Sequence, residues 1–378
     1  MAAATSGNCP FFFSAGEASG DAYAAVLISR LKARQADLHF SAIGGARSAE
    51  LATIIADSST WGAVGILESL KVVPRVWGGY RAAAAHLRQT KPGVFVPIDF
   101  GYLNVKLARI AKQAGWKVLY FIPPGSWRKT KQGSDLPAIT DLIVTPFLWS
   151  ADILNEMGAN AHFFGHPLKE MVGEVDPDAE REGIAILPGS RTHEIERNLE
   201  PIAKAIQDQP GPIRFAVASS FSAEKMEMLW KQVGGRSAEF RRDTYNVLRE
   251  SRAAVICSGT ATLEAAICRC PCIVVYRGSK AMEIEFKIRK PKFDYISLPN
   301  ILLGREVLPE LIQHDANPVQ IAKELKEILE DPGKDAQLRA FVELDAILGP
   351  SECLERTADL LLQLSLSPPR ERDDQSDC

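Results

Sequence analysis

Short runs of β-branched and aromatic residues alternate with longer amphipathic segments along most of the chain. These runs lie at 11–14, 40–43, 94–98, 118–122 and 142–144 in the first half, and at 184–187, 214–218, 253–257 and 273–276 in the second. Each run precedes a break rich in Gly, Pro or Ser and then a helical pattern, which is typical of βαβ units. Because the runs are almost continuously apolar, we expect α/β folding with parallel sheets buried on both faces.

One break in this alternation divides the chain into two halves of similar size. Residues 172–183 are acidic and poorly periodic, and the alternation of strands and helices restarts after them. We therefore predict two doubly wound Rossmann-like domains, at 1–170 and 171–348. A C-terminal helix at 349–364 and a disordered tail at 365–378 should follow. Two such domains in series normally face a cleft that holds the ligand at the carboxyl ends of the strands.

The composition is that of an ordinary globular enzyme and excludes several other classes. The chain has 378 residues, of which 46% are hydrophobic and 24% charged, which is too apolar for intrinsic disorder. Its 44 basic and 47 acidic residues give a formal charge of −3, so there is no global attraction to nucleic acid. No run reaches the ~18 apolar residues of a membrane span. The absence of a signal-peptide core and the odd number of cysteines, seven, favour a reducing cytoplasmic location.

Two polar segments in the first half directly follow predicted strands. In the first, small residues would let a ligand approach N–H groups at a helix start. Its candidates are Gly16, Glu17, Ser19, Gly20 and Asp21. Ser19 and Asp21 would serve equally well as helix caps, and the segment is not a dinucleotide-binding G-x-G-x-x-G motif. The second segment begins at Asp99, whose carboxylate could accept a proton from an attacking hydroxyl or could bond loop N–H groups.

A turn in the second half has the features of a diphosphate site. The strand at 184–187 runs into Gly189, Ser190 and Arg191 just before a helix, which combines backbone amides with a cation. The next residues begin like the zinc motif H-E-x-x-H, but Arg197 stands where the second histidine is required. A metal site is therefore not predicted.

A second turn, after the strand at 253–257, has the same character. Its helix start could receive a phosphate, and its candidates are Ser258, Gly259 and Thr260. Glu264 could accept hydrogen bonds from sugar hydroxyls, or it could be an ordinary glutamate in a first helical turn. A polar segment further on could add an amide and a guanidinium to the same site, from Asn300 and Arg305.

The segment 61–80 mixes large apolar residues with basic ones, as an interfacial surface does. The candidates for membrane contact are Trp61, Val72, Val73, Arg75 and Trp77. A helix that faces the core and has a solvated basic edge would explain the same pattern.

In their order and spacing, these segments resemble the lipid-A-disaccharide synthase family, bacterial glycosyltransferases of the two-domain GT-B architecture. The resemblance covers residues 11–345. It rests on the segments 14–21, 43–45, 64–68, 98–99, 165–167, 187–191, 258–264 and 297–306. It implies an inverting, metal-independent hexosyltransferase without a cofactor, peripheral on the cytoplasmic face of the inner membrane. Such an enzyme joins UDP-2,3-diacylglucosamine to 2,3-diacylglucosamine 1-phosphate, releasing UDP and lipid A disaccharide 1-phosphate.

The resemblance also implies roles for individual residues. Asp99 matches the family's proposed catalytic base, and Arg191 matches an arginine needed for activity at the diphosphate. Glu264 resembles the ribose-binding glutamate of related enzymes. Asn300 and Arg305 fall in a segment that resembles the nucleotide-side wall.

The chain departs from the family pattern in two segments of the acceptor-side domain. At 100–104 a second carboxylate is absent, and at 123–130 only one of two tryptophans remains. These departures affect the predicted identity of the acceptor more than the predicted binding of the nucleotide. Three alternatives therefore stay open: a GT-B enzyme with a different lipid or soluble acceptor, a UDP-N-acetylglucosamine 2-epimerase, and an inactive relative that binds nucleotide or lipid.

Overall fold

Two parallel β-sheets organise the chain. The structure, a computed structural model, describes residues 9–59, 61, 66–126, 128–129, 132–219, 221–278 and 295–367. The chain divides into a first unit, Met1–Glu170 with Leu348–Cys378, and a second unit, Met171–Ile347. The predicted α/β class is therefore confirmed.

The first unit is built around a seven-stranded sheet with the order β3-β2-β1-β4-β5-β6-β7, in which every neighbouring pair is parallel. The strands are β1 (Phe11–Ala15), β2 (Phe40–Gly44), β3 (Thr53–Asp57), β4 (Val94–Ile98), β5 (Lys117–Phe121), β6 (Leu142–Thr145) and β7 (Ala161–Phe163). The helices are α1 (Ala18–Arg34), α2 (Ala46–Ala49), α3 (Ile66–Gln89), α4 (Gly101–Gln113), α5 (Leu136–Ile139) and α6 (Leu148–Glu156), followed by α7 (Pro167–Val172) at the boundary between the units. The central strands β1, β4 and β5 are buried at every residue, as expected for strands covered on both faces.

The second unit has a six-stranded parallel sheet with the order β10-β9-β8-β11-β12-β13. The strands are β8 (Ile184–Leu187), β9 (Ile213–Ala216), β10 (Glu239–Arg241), β11 (Ala253–Ile256), β12 (Cys272–Tyr276) and β13 (Glu310–Ile312). The helices are α8 (Thr192–Ala205), α9 (Ala223–Gln232), α10 (Thr244–Glu250), α11 (Ala261–Ile267), α12 (Leu298–Leu303), α13 (Pro318–Leu329) and α14 (Gly333–Leu348). Ile186, Phe215, Trp230 and Val255 belong to its buried core.

All nine predicted strands are present, with ends that differ by at most two residues. The prediction missed β3, β7, β10 and β13, which lie at or next to the sheet edges and are partly exposed. A short strand with one solvated side does not need the apolar run that made the central strands recognisable. Its sequence is then hard to distinguish from a loop.

The last helix, α15 (Cys353–Leu366), belongs to the first unit, where it packs against α1, β4 and β5. The buried Lys117 ammonium donates a hydrogen bond to the Leu364 carbonyl at the end of this helix (2.9 Å). The helix continues to Leu366, so the predicted tail begins two residues too early at 365. The rest of that prediction, 368–378, lies outside the described residues.

The segment 165–167 fixes the point where the chain returns to the first unit. A Cβ atom at Gly165 would clash with the Pro350 carbonyl, and the His166 N–H donates to the Leu348 carbonyl (2.7 Å). Burial lowers the pKa of His166 to about 3, so its ring is neutral, and Nδ1 accepts a hydrogen bond from the Leu168 N–H. Gly165 and His166 therefore have a structural role.

In each sheet the strand order reverses at one place, the topological switch point. In the first sheet β1 neighbours β4, and in the second β8 neighbours β11, with the earlier strands on one side and the later strands on the other. In open α/β sheets, ligands bind outside the carboxyl ends of the strands at such switch points. These two places are where functional residues are to be sought.

Asp21, a candidate in the segment 14–21, is a buried cap for the neighbouring helix α2. Its Oδ1 accepts hydrogen bonds from the N–H groups of Gly45 (2.8 Å) and Ser48 (3.2 Å), and Oδ2 accepts one from Arg47 (3.1 Å). The carboxylate thus supports the fold beside the first switch point. Capping was one of the two roles that the sequence left open.

We predict that Asp21→Ala lowers the free energy of unfolding by about 2 kcal/mol, because three backbone donors lose a charged acceptor. Urea unfolding followed by circular dichroism measures this change. Asp152→Ala, the same replacement at an exposed position of α6, should stay within about 0.5 kcal/mol of the unaltered protein. Equal stability of the two variants would contradict the capping role.

Candidate active site

The loop after β1 is shaped by close packing at two glycines. A Cβ atom at Gly16 would clash with the ring of Phe100, and one at Gly20 would lie 3.2 Å from the Ala15 side chain. Both glycines are buried, whereas Glu17 is exposed and Ser19 is half-buried. Of the predicted candidates in this loop, Glu17 and Ser19 are therefore the ones whose side chains can reach a ligand.

Asp99 follows β4 on the other side of the first switch point and adopts an unusual backbone conformation. Its φ angle is 44° and that of Phe100 is 48°, both in the left-handed region that residues other than glycine rarely adopt. The Asp99 N–H donates to the Phe121 carbonyl (3.1 Å), and the Tyr120 hydroxyl donates to the Asp99 carbonyl (2.9 Å). These contacts help to hold the residue at the carboxyl edge of the sheet.

The environment of Asp99 makes its carboxylate more basic than usual. The residue has one solvent-exposed side, but the surrounding protein removes much of its hydration and raises its pKa from 3.8 to about 6. The negative charge of Glu17 raises the pKa further, whereas a hydrogen bond from the Phe100 N–H lowers it. A base with a pKa near the working pH is ionised and still accepts a proton readily.

The loop after β8 presents Arg191 at the start of α8. Gly189 has a φ angle of 115°, which favours glycine, and a Cβ atom there would lie 2.9 Å from the Glu194 carboxylate. Arg191 Nη1 donates to Glu194 Oε1 (2.9 Å), and Glu194 is buried beneath the loop. Glu194 thus orients the guanidinium from below, and about a quarter of the Arg191 side chain is exposed to solvent.

The loop after β11 lies beside the loop after β8, because the two strands are neighbours in the sheet. Gly259 has a φ angle of 151°, and no atom lies within 4 Å of the position that its Cβ would take. The Ser258 hydroxyl donates to the Ile296 carbonyl (3.0 Å), and Thr260 is half-buried before α11. Backbone atoms at Gly259 are therefore open to close approach by a ligand.

Glu264 lies on α11, one helical turn beyond this loop. It is half-buried, and the Tyr245 hydroxyl lies 3.5 Å from Glu264 Oε1. A half-buried carboxylate beside an open loop can accept hydrogen bonds from hydroxyl groups. Its assignment to a ribose stays a prediction.

Asn300 has a structural role, so its prediction as a nucleotide contact is wrong. It is fully buried, and Nδ2 donates to the Leu308 carbonyl (2.9 Å) and Glu310 Oε1 (2.8 Å). Its Oδ1 accepts hydrogen bonds from the N–H groups of Val307 (2.8 Å) and Leu308 (2.9 Å). These bonds use both hydrogens and both lone pairs of the carboxamide, so no polar capacity is left for a ligand.

Arg305 forms a surface ion pair with Glu343 of α14 (2.8 Å), and both side chains are about half-exposed. Exposed ion pairs contribute little to stability, so the guanidinium can exchange this partner for another anion. The predicted contact of Arg305 with the nucleotide stays a prediction.

Of the candidates for membrane contact, one is a core residue and the others lie at or near the surface. Trp61 is only 4% exposed, a Cβ atom at Gly79 would clash with its ring, and its ring centroid lies 6.0 Å from that of Phe100. The prediction that Trp61 contacts a membrane is therefore wrong, because the residue belongs to the core. Val72 is half-buried, Arg75 is exposed, and Val73 and Trp77 are 52% and 55% exposed.

Sequence reasoning overlooked three residues at the first switch point. The buried Asn104 bonds the ends of β1 and β4, and Tyr120 bonds the Asp99 carbonyl. Tyr102, in the first turn of α4, is 80% exposed, with the Lys106 ammonium 4.2 Å from its ring centroid. In the sequence, Asn104 is recognisable only as a polar residue on the apolar side of a predicted helix, and Tyr102 only as an aromatic residue on its polar side. Both are weak signals of function.

In the second unit the overlooked residue is Glu194. Its position in the incomplete zinc motif drew attention to metal binding, whereas its carboxylate orients Arg191. Among the residues that the structure describes, no three His, Cys, Asp or Glu side chains group as metal ligands. Within the same ranges, no helix is both long and apolar enough to cross a bilayer.

Comparison with known proteins gives a family and a fold. The family model for lipid-A-disaccharide synthetase matches residues 11–355. The chain is 31% identical to a lipid-A-disaccharide synthase of Myxococcus xanthus, over 94% of this chain and 97% of that protein. It is 30% identical to one of Geobacter metallireducens, over 93% and 96%.

Solved structures of low sequence identity share the fold. The calicheamicin glycosyltransferase CalG4 superposes with a TM-score of 0.58 at 13% identity, covering 96% of this chain and all of that one. MurG of Acinetobacter baumannii has a TM-score of 0.55 at 12% identity, with coverage of 94% and 99%. A UDP-GlcNAc 2-epimerase of Methanocaldococcus jannaschii has a TM-score of 0.55 at 11% identity, with the same coverage.

Two parallel-sheet units with polar loops at their switch points give the chain the GT-B fold, which the glycosyltransferases above and the 2-epimerase share. The chain belongs to the lipid-A-disaccharide synthetase family, and it is a glycosyltransferase of lipid A biosynthesis. The family, the fold class and the enzyme class predicted from the sequence are thereby confirmed.

We predict that Glu17→Gln lowers the pKa of Asp99 below about 6, because the substitution removes a nearby negative charge that disfavours the ionised carboxylate. Desolvation remains, so the pKa should stay above 3.8. A ¹³C NMR titration of labelled aspartates measures the shift, with Asp99→Asn identifying the signal. Glu50→Gln, an exposed site at the end of α2, is the control. An unchanged pKa in Glu17→Gln would rule out this coupling.

Proposed function

We propose that the protein transfers a diacylated glucosamine from UDP-2,3-diacylglucosamine to 2,3-diacylglucosamine 1-phosphate. The acceptor hydroxyl attacks C1 of the donor sugar, and the bond from C1 to the UDP oxygen breaks. The products are UDP and the disaccharide 1-phosphate, with inversion at C1 through an oxocarbenium-like state. The observation that supports this most directly is the match to the family over residues 11–355, together with a base and a cation at the two switch points.

The first unit would bind the acceptor, with Asp99 taking the hydroxyl proton. Its raised pKa of about 6 suits that role, since the carboxylate is largely ionised at neutral pH. The exposed ring of Tyr102 and the Lys106 ammonium are available beside it for a sugar that carries a phosphate. Glu17 and Ser19 line the same switch point from the loop after β1.

The second unit would bind the nucleotide, with Arg191 and the backbone near Gly189, Ser190 and Gly259 at the diphosphate. Glu264 would accept hydrogen bonds from the ribose. Negative charge grows on UDP as it leaves, and we propose that Arg191 and the loop amides stabilise it without a metal cofactor. Glu194 keeps the guanidinium oriented before the reaction, which avoids reorganisation in the transition state.

A turnover assay in detergent, with chelator and without added metal, tests this proposal. Mass spectrometry follows UDP and the disaccharide. Arg191→Ala should lose ~3 kcal/mol of transition-state stabilisation, about a hundredfold in rate. Asp99→Asn should lose turnover while binding UDP normally. Lys204→Ala on the exposed face of α8 and Asp152→Asn on α6 are matched controls that should keep full activity.

The pattern of products also separates the alternatives. UDP binding without disaccharide would indicate a different acceptor, and conversion of UDP-N-acetylglucosamine to its 2-epimer would indicate an epimerase. Absence of both UDP binding and turnover would indicate an inactive relative. Full activity of Asp99→Asn would contradict the assignment of the base.

We further propose that the exposed part of α3 with Val73 and Trp77 on one face and Arg75 on another contacts the cytoplasmic face of the inner membrane. All three side chains are exposed, and the Trp77 ring stacks on Tyr80 with centroids 5.2 Å apart. Tryptophan favours the interface between lipid and water, and a basic residue near anionic lipid contributes about 1 kcal/mol. Acyl chains of the substrates would be drawn from this surface.

We expect the triple variant Val73→Ser, Arg75→Ser, Trp77→Ser to lose flotation with vesicles of phosphatidylethanolamine and phosphatidylglycerol. The substitutions remove exposed apolar area and one positive charge from the surface. Val319→Ser with Val342→Ser removes exposed apolar area from the second unit and should float like the unaltered protein. Undiminished flotation of the triple variant would contradict the proposal.

A further inference from the structure

Asn104, in the first turn and a half of α4, is a fully buried residue whose carboxamide faces the ends of two strands. Its Oδ1 accepts a hydrogen bond from the Ser14 hydroxyl (2.6 Å) at the end of β1. Its Nδ2 lies 3.0 Å from each of three carbonyl oxygens, those of Ser14, Ile98 and Asp99. A carboxamide has only two N–H hydrogens, so the three carbonyls share them.

These carbonyls belong to the two strands at the first switch point, and one of them belongs to Asp99 itself. Asp99 and Phe100 are both left-handed, a conformation that costs about 1–3 kcal/mol per residue and persists only where the surroundings impose it. The Asp99 carbonyl receives two side-chain donors, Asn104 Nδ2 and the Tyr120 hydroxyl. Hydrogen bonds therefore stabilise the turn at the residue where the backbone is strained.

We propose that Asn104 is a positioning residue, which holds the backbone of Asp99 in the left-handed conformation so that its carboxylate faces the acceptor. The inference rests on the proposed function, in which Asp99 accepts the acceptor proton. In that reaction the fully buried Asn104, beneath the sheet edge, would set the orientation of the base without touching the substrate.

The position of Asn104 explains why a hydrogen-bonding residue occupies the core there. Leu103 and Leu107, beside it on α4, are buried apolar residues that fill the same layer. An apolar residue in place of Asn104 would remove this donor from the Ser14, Ile98 and Asp99 carbonyls, and the Asp99 carbonyl would keep only the Tyr120 hydroxyl. Hydrogen bonds lost at buried polar groups are costly. The strained turn would then relax, and the Asp99 carboxylate would lose its fixed orientation and part of its contact with the surrounding protein.

The test compares Asn104→Leu, which keeps the approximate size and removes the donors, with Asn155→Leu. Asn155 also bonds the backbone through both ends of its carboxamide, to the Ala161 N–H and carbonyl. Ala161 begins β7, so this control lies at the amino edge of the same sheet, away from Asp99. Both variants therefore lose side-chain hydrogen bonds to the backbone at opposite edges of the sheet, two from the exposed Asn155 and three shared ones from the buried Asn104.

For Asn104→Leu we expect kcat to fall by about tenfold to a hundredfold, as a misplaced catalytic group does, with the KM for the UDP-sugar almost unchanged. The pKa of Asp99, measured by ¹³C NMR without substrates, should fall from about 6 toward 3.8 as the carboxyl becomes hydrated. Asn155→Leu should change neither quantity. A role limited to stability would lower the yield of folded protein and leave the pKa of the folded fraction unchanged.

If Asn104→Leu does not fold, Ser14→Ala decides the matter, because it removes only the hydroxyl that orients Asn104. It should move kcat and the Asp99 pKa in the same directions by smaller amounts. An unaltered kcat and pKa in whichever of the two variants folds would overturn the proposal. Full activity of Asp99→Asn would instead remove the base from the proposed function, while the NMR titration would still report on positioning.

Discussion

The parallel pairing of β1 with β4 and of β8 with β11 is the constraint on which the candidate site depends. Parallel strands end at the same edge of a sheet, so loops far apart in sequence become neighbours there. The pairing of β1 with β4 places Asp99 next to the segment 14–21. The pairing of β8 with β11 places Gly259 next to the turn that contains Arg191. The backbone pairing, rather than any local motif, brings the candidate residues of each unit together.

At the carboxyl edges of both sheets, buried polar side chains support the candidate residues that are accessible to solvent. Glu194 holds Arg191, and Asn104 and Tyr120 bond the backbone at Asp99. Such support is required wherever a group must keep its geometry before substrate binds. The same arrangement in both units indicates that each site is organised in advance.

The two segments that depart from the family pattern are connected in space. A Cβ atom at Gly101 would clash with the Pro124 side chain, so the glycine in one segment accommodates the proline in the other. Tyr102, next to Gly101 in the chain, is exposed. A residue larger than glycine at position 101 would therefore require Pro124 to move or to be replaced.

The sequence was sufficient for the central strands and for the loops after them, because buried parallel strands are apolar and their breaks are rich in Gly. It was insufficient for edge strands such as β3 and β10, which lack that pattern. It also misassigned Asn300 and Trp61, since a polar residue that bonds the backbone and an aromatic residue that fills the core look like ligand-binding residues in a sequence. Only the partners of each side chain, such as Glu310 and Gly79, distinguish these cases.

The division of substrates between the two units is the central claim, and hydrogen–deuterium exchange with each substrate alone tests it most directly. UDP should slow amide exchange at 188–192 and 258–264, in the second unit. The acceptor, 2,3-diacylglucosamine 1-phosphate in detergent, should slow exchange at 16–20 and 98–104, in the first unit. Protection by UDP confined to the loops after β1 and β4 would contradict the account.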